Sequence, residues 1–195
     1  MACTWCRLWP ADFACLNKAR GVPVVVSVHD TNPGLLHDSV LQADQVWVVS
    51  DAVKALVTQR GVPDDKIRLL PNRVNFDTFR HREDDTLRAA FNARFPGRFR
   101  ILHVGRKSPQ KNLDTVIRAL AELGPDFACI FVGQGDVTPY LELARQCGVA
   151  GQCHFIESIP NNELPIYYSF CDCMCVPSRW EGFGIVFIEA LASEA

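Results

Sequence analysis

The chain has 195 residues, 48% of them hydrophobic and 22% charged, with a formal net charge of −2. That balance describes a folded, core-forming chain and excludes disordered, collagenous and small disulfide-scaffold classes. No apolar run approaches the roughly 18 residues of a membrane-spanning helix, and the opening stretch MACTWCRLWPADFACLNKAR reads as lacking a signal peptide.

In chain order, VPVVVSVHD (Val22 to Asp30) is a continuous β-branched run that predicts a fully buried strand. DQVWVVS (Asp44 to Ser50) predicts a second strand. The helix-like DAVKALVTQRG follows, with Ser50 or Asp51 as cap and Gly61 as stop. KIRLL is a short third strand. Residues 71–85 lose all periodicity and carry turn residues and charges, which predicts a linker.

Beyond it the alternation resumes. FRILHVG predicts a strand that leads through RKSPQKN into the helix LDTVIRALAEL, whose apolar stripe is Leu113, Val116, Ile117 and Leu120. FACIFVG predicts a strand, 136–147 a helix, CHFIE a strand and NNELPIYYSF a helix. CDCMCVPS predicts a strand and EGFGIVFIEALA a final helix. Strands alternating with helices at this spacing indicate βαβ units around parallel sheets. The division expected is 1–82 for a first domain and 86–195 for a second.

Nine cysteines suit reduced thiols in a cytosolic setting better than a disulfide framework. Cys3 and Cys6 form one C-x-x-C with no second pair to complete a zinc site. Cys171, Cys173 and Cys175 would share one strand face as small buried hydrophobes. Between Lys66 and Lys111, twelve Lys and Arg face four Asp and Glu, a local charge of +8. That excess suits an anionic ligand, an acidic membrane surface or simply a solvated linker. No basic helix interleaved with aromatics points to nucleic acid.

Ligands of open parallel sheets sit outside the carboxyl ends of the strands. His29 ends one strand, Gly105–Arg106 another, Gly133–Gly135 a third and Ser178–Gly184 the last. Gly105 lets backbone approach a ligand, and Arg106 and Lys111 stand where a helix begins, a fitting place for a diphosphate. Equally, both cations could simply face water. FVGQGD holds one G-x-G but has Thr138 where a dinucleotide fingerprint needs a third glycine, so a dehydrogenase is a poor fit. In EGFGIVFIEALA, Gly182 and Gly184 free backbone amides for an anion. Glu189 sits among Phe187, Ile188, Ala190, Leu191 and Ala192, which leave little room for a solvent face. A carboxylate placed there needs a partner, and a sugar hydroxyl is a good one.

EGFGIVFIE resembles the E-x7-E motif of the retaining, nucleotide-sugar-dependent glycosyltransferases of family 4 (group 1), which have the GT-B fold. GVPVVVSVHD, ADQVWVVSDAVKALV, KIRLLPNRVNFDTF, HVGRKSPQKNLDTVIRAL, FVGQGD and HFIESIPNNELPIYYSFCDCMCVPS follow the family's blocks in order. The resemblance implies an α/β, GT-B type architecture of two Rossmann-like parallel-sheet domains. The N-terminal one is partial and the C-terminal donor domain lacks its last elements, as in an internal segment or a reduced relative.

It also implies roles. Arg106 and Lys111 would hold the donor diphosphate beside Gly105. Backbone amides from Phe183, Gly184 and Ile185, next to Gly182, would cradle the distal phosphate and sugar. Glu181 would contact sugar hydroxyls, Glu189 the ribose, and His29 the donor sugar across the interdomain cleft. Gly133, Gly135 and the loop near Ile159 would lie by the nucleobase. No cofactor and no metal are implied, since Arg and Lys stabilise the leaving group. The partners implied are a nucleotide-sugar donor and a lipid, saccharide or small-molecule acceptor. The setting implied is the cytoplasm, with peripheral contact at the inner membrane face as an option. A nucleotide-sugar-binding remnant, or a relative that hydrolyses or epimerises the donor, is the alternative. The chain departs from the family pattern at Lys107, Gln110 and Asn112, where an apolar residue, Glu and Gly are usual, and reads NRVN where NGVD is favoured.

Overall fold

The structure, a computed structural model, describes residues 18, 20–96 and 99–195. Cys3, Cys6 and Cys15 lie outside the described residues. The chain folds as two compact units. One runs to Asn72 and also takes in Trp180–Gly184; the other holds Arg73–Arg179 and Ile185–Ala195. The sequence had placed all of 86–195 in a single domain, so the glycine segment 180–184 stands apart from that division.

In the first unit, β1 (Val25–Val28), β2 (Gln45–Val48) and β3 (Ile67–Leu69) form a parallel sheet in that order. Helix α1 (Asp51–Gln59) connects β2 to β3. Ser50 caps it, its Oγ accepting from the Val53 N–H at 3.3 Å, which satisfies one of the orphan donors of the first turn. Val24, Val26, Val46, Val48 and Ile67 are buried with Val53 and Val57 of α1. The intervening Val25, Ser27 and Trp47 are only half-buried, and Arg68 is exposed. The expected fully buried first strand is therefore corrected. One face of the β1–β2 pair packs on the core while the other stays partly open, and there Trp47 Nε1 of β2 donates to Gln45 Oε1 at 3.1 Å.

The second unit has four parallel strands, β4 (Phe99–Val104), β5 (Phe127–Val132), β6 (Cys153–Ile156) and β7 (Cys173–Met174), in the order β6-β5-β4-β7. Helices α2 (Asp85–Arg94), α3 (Leu113–Leu123), α4 (Thr138–Gln146), α5 (Leu164–Phe170) and α6 (Ile185–Ala192) surround it. On one face Ile101, Cys129, Phe131 and Cys153 pack against the α3 stripe Leu113, Val116, Ile117 and Leu120. On the other, Leu102, Val104, Ile130 and Val132 meet Phe91, Tyr167, Tyr168, Phe170 and Ala190. Both faces are covered, which is why β5 reads as a continuous apolar run.

Three details differ from the sequence expectations. Helix α2 occupies a stretch that carried no predicted element. Asp84 caps it by accepting from the Leu87 N–H at 2.9 Å, and its single buried residue, Phe91, meets the Phe95, Tyr167 and Phe170 rings at 4.9, 5.4 and 5.7 Å. Strand β7 is only two residues long. Of the three cysteines in and around it, Cys171 is buried, but Cys173 and Cys175 are exposed. Cys173 pairs with Ile101 at the sheet edge, so it points to the α3 face beyond the reach of that helix. The solvent face of α6 is the third correction: Ile185 and Phe187 are exposed, and Leu191 is 74% exposed.

Among the described residues no helix is long and apolar enough to cross a membrane.

Candidate functional site

The β4–α3 connection leaves the carboxyl end of β4 at Gly105. The aliphatic stem of Lys111 lies directly over that glycine. A Cβ there would meet the Lys111 Cδ and Cε at 3.1 Å. Lys111 closes a short 3-10 turn, Pro109–Lys111, and Asn112 follows in the left-handed region at φ 57 and ψ 41. Asn adopts that conformation more readily than other non-glycine residues, which explains its presence where the family pattern has Gly. Its side chain is also used: Nδ2 donates to the Pro177 carbonyl and Oδ1 accepts from Thr115 Oγ1, both at 3.0 Å. Arg106 is exposed.

Lys107, expected to be apolar by the family pattern, is buried at 8% exposure. Its ammonium donates to the Gly133 carbonyl after β5 and, at 2.9 Å, to the Ile156 carbonyl ending β6. Burial pulls its pKa down, opposed in part by the nearby Glu157. One side chain thus ties the carboxyl ends of β5 and β6 to the loop after β4.

The glycines of FVGQGD are explained by the same packing. A Cβ on Gly133 would sit 2.0 Å from the Gly105 carbonyl oxygen, and one on Gly135 would sit 2.6 Å from that of Lys107. Backbone lies on backbone, and only glycine permits the approach. The Lys107 N–H donates to the Gln134 carbonyl at 2.7 Å across this seam. Arg179, after β7, closes the other side. Its N–H donates to the Gln110 carbonyl at 2.8 Å, its Nε to the Pro109 carbonyl at 3.1 Å, and its guanidinium pairs with Asp114 at 3.2 Å. A neighbouring open groove of about 730 Å³ carries Asp114, Asp136 and Glu142 on its walls. Lys107 and Arg179 also line it, but Lys107 is spent on two carbonyls and Arg179 on Asp114, so the groove is a poor seat for a diphosphate.

Below the loop, His103 on β4 is fully buried, 5.5 Å from the Phe131 ring. Its Nε2 lies 3.1 Å from the Lys111 carbonyl. A carbonyl only accepts, so Nε2 carries the proton. Burial lowers the imidazole pKa to about 4, which keeps the ring neutral at physiological pH.

Glu189 in α6 is 7% exposed, and the Tyr168 hydroxyl of α5 donates to its Oε2 at 2.9 Å. Burial raises the carboxyl pKa, and the tyrosine bond opposes that rise. The sequence had offered only an external hydroxyl as partner; the fold supplies an internal one.

Glu181, Gly182, Phe183 and Gly184 belong with the first unit. Gly182 packs backbone to backbone on the end of β1, where a Cβ would stand 1.8 Å from the His29 carbonyl oxygen. Ser50 Oγ, besides capping α1, donates to the Gly182 carbonyl at 2.5 Å. Thr31 Oγ1 donates to the Glu181 carbonyl at 3.4 Å, and Phe183 packs against the unit's core. His29 Nε2 is 2.8 Å from Ser27 Oγ, and partial burial lowers its pKa. Gly184, at φ 74, leads into Ile185, the first residue of α6.

The structure therefore gathers Gly105, Lys111, Gly133 and Gly135 at the carboxyl ends of the two central strands of the second sheet. It gathers His29, Glu181, Gly182 and Phe183 in the first unit, and it seats Glu189 inside the second. Sequence reasoning missed His103, Lys107 and Tyr168 as supports, and it saw Ser50 only as a helix cap, not as a donor to Gly182. Lys107 had left a signal, as a cation in an apolar family position. Among the described residues no group of three or more His, Cys, Asp or Glu is placed to hold a metal ion.

A model of the family "glycosyl transferases group 1" matches residues 85–195, more than half of the chain. The chain belongs to the glycosyl transferases group 1 family. A second model, glycosyltransferase family 4, matches residues 4–78. An uncharacterised glycosyltransferase of Methanocaldococcus jannaschii is 30% identical, the match covering 96% of this chain and 54% of the relative. The GDP-mannose-dependent alpha-(1-6)-phosphatidylinositol monomannoside mannosyltransferase of Mycolicibacterium smegmatis is 35% identical over 77% of this chain and 42% of its own length. Among solved structures, Anabaena HepE in complex with UDP-glucose superposes with a TM-score of 0.81 at 21% identity, covering 93% of this chain and 54% of that one. The two parallel-sheet units of this group 1 chain thus have the GT-B type of fold. The chain spans about half the length of the curated relatives it matches.

Proposed function

We propose that this group 1 chain binds a nucleotide-sugar donor, and that the whole protein transfers the donor's sugar to an acceptor with retention of configuration. The observation that carries the reading is the seat of Lys111. Its stem lies over Gly105 at the carboxyl end of β4, in the unit that the group 1 model matches. That is where parallel sheets take ligands. The name of the mycobacterial relative specifies GDP-mannose, and the HepE structure holds UDP-glucose. Both are nucleotide sugars, which supports that donor class.

In this reading Lys111 and the exposed Arg106 face the diphosphate. Transfer breaks the bond between the anomeric carbon and the diphosphate oxygen, and negative charge grows on the leaving group. Two cations at that position stabilise the charge more in the transition state than in the bound donor, so no metal is required. Backbone amides of Phe183 to Ile185 receive the distal phosphate and sugar, Glu181 the sugar hydroxyls, and Glu189 the ribose. His29, neutral and held by Ser27, is the candidate for a contact with the donor sugar. Gly133 and Gly135 form the rim beside the base. The six described cysteines are all free, which suits a reducing, cytoplasmic setting.

The test is transfer by the full-length protein with Lys111→Ala and with Glu189→Ala. Loss of a leaving-group cation is expected to lower kcat by about 100-fold, the scale of one oxyanion donor. Undiminished turnover in Lys111→Ala would overturn the reading.

A further inference from the structure

We propose that His103 is a positioning residue for Lys111: from within β4 it donates to the Lys111 carbonyl and so fixes where that lysine stands over Gly105. The inference rests on the donor-site reading, which gives Lys111 a ligand. Four observations converge on it. The Nε2 to carbonyl distance is 3.1 Å. His103 is completely buried, so the donor end of this part-buried bond is shielded from competing water. Asn112, the next residue, is left-handed, which breaks the run from the 3-10 turn into α3 and leaves the Lys111 carbonyl to be met by a side chain. On the other side of the residue, the Lys111 stem rests on Gly105.

Lys111 is thus held at its carbonyl from below and along its stem. A long lysine loses much rotamer freedom when it must hold one geometry. Fixing its backbone and stem in advance leaves less to be ordered when an anion arrives. Packing alone would not call for a histidine. At 5.5 Å from the Phe131 ring, the site would take a phenylalanine of similar shape without burying a second ring nitrogen that has no hydrogen-bond partner. What distinguishes His103 from Phe here is the donated proton.

The experiment is calorimetric titration of UDP and of GDP into the full-length protein and its variants. Lys111→Ala is expected to weaken binding of the preferred nucleotide about 10-fold or more, and His103→Phe about 3- to 10-fold. His103→Gln, which restores a donor at similar reach, should recover most of the affinity. In the Lys111→Ala background, His103→Phe should weaken binding no further, the coupling expected of a residue that acts through another. Independent losses, or equal failure of His103→Phe and His103→Gln, would overturn the role of the donated proton. Lys111→Ala binding like wild type would overturn the donor-site reading itself, and this inference with it. Should His103→Phe fail to fold, ¹⁵N spectra of the wild-type histidines decide. A proton on Nε2 of His103 is expected, and one on Nδ1 alone would overturn the proposal.

Discussion

The Tyr168 hydroxyl donates to Oε2 of Glu189 across 2.9 Å; the tyrosine is fully buried in the second unit, and Glu189 keeps 7% of its surface open. This bond joins α5 to α6 and gives a buried carboxyl group its internal partner. The hydroxyl stays protonated, because burial and the neighbouring carboxylate both raise its pKa. Removing it as Tyr168→Phe leaves Glu189 without that donor. Chemical denaturation should show a loss of about 1–3 kcal/mol, the penalty of an unsatisfied buried polar group.

Glu189 itself sets a pH dependence. Its folded-state pKa lies above the ordinary glutamate value of 4.5, so the folded chain binds the proton more tightly than the unfolded one. This group's contribution to stability is greatest below 4.5 and is lost as pH rises through the raised value. Glu189→Gln removes the titration. The variant should gain thermal stability relative to wild type as pH rises from 4.5 to 8, while nucleotide-sugar transfer falls. A gap between the two proteins that does not change with pH would count against it.

His103 acts in the opposite sense. With a pKa of about 4 in the fold against 6.5 when unfolded, it stays neutral while the unfolded chain takes up a proton. The stability it provides is complete above 6.5 and is lost as pH falls from 6.5 to 4, by about 3 kcal/mol in all. Acid denaturation of His103→Gln should be shallower over that window by a comparable amount.

The Lys107 ammonium serves two carbonyls, those of Gly133 and Ile156. Lys107→Met fills the same space and donates to neither. A loss of about 1–3 kcal/mol is expected in urea unfolding. Hydrogen exchange should quicken first at the backbone around residues 133–135, which this lysine tethers.

Much of this fold was legible because its cause is local. The α3 stripe Leu113, Val116, Ile117 and Leu120 is a period of 3.6, and all four residues are buried. Ser50 announced the start of α1 and caps it. What escaped depended on partners distant in sequence. Helix α2 buries only Phe91 of its own ten residues, so its pattern is faint, and its ring partners Tyr167 and Phe170 come from α5. Cys173 and Cys175 alternate like core residues, yet β7 is a sheet edge, and edge position is not written in a strand's own sequence. In the candidate site, Glu189 stood out as an acid in an apolar run, while its partner Tyr168 lies 21 residues away in another helix. The glycines of FVGQGD were visible, but the reason for them was the Gly105 carbonyl, on a different strand.

The division of the chain into two units also divides its chromophores. Trp47 and Trp180, the tryptophans among the described residues, both belong to the first unit. All three tyrosines, Tyr140, Tyr167 and Tyr168, belong to the second. Indole emission and the near-ultraviolet tyrosine signal therefore report on different bodies of the same polypeptide, with no label attached. Followed together through one denaturant titration, coincident curves would mean that the units melt as one, and separated curves that each has its own midpoint.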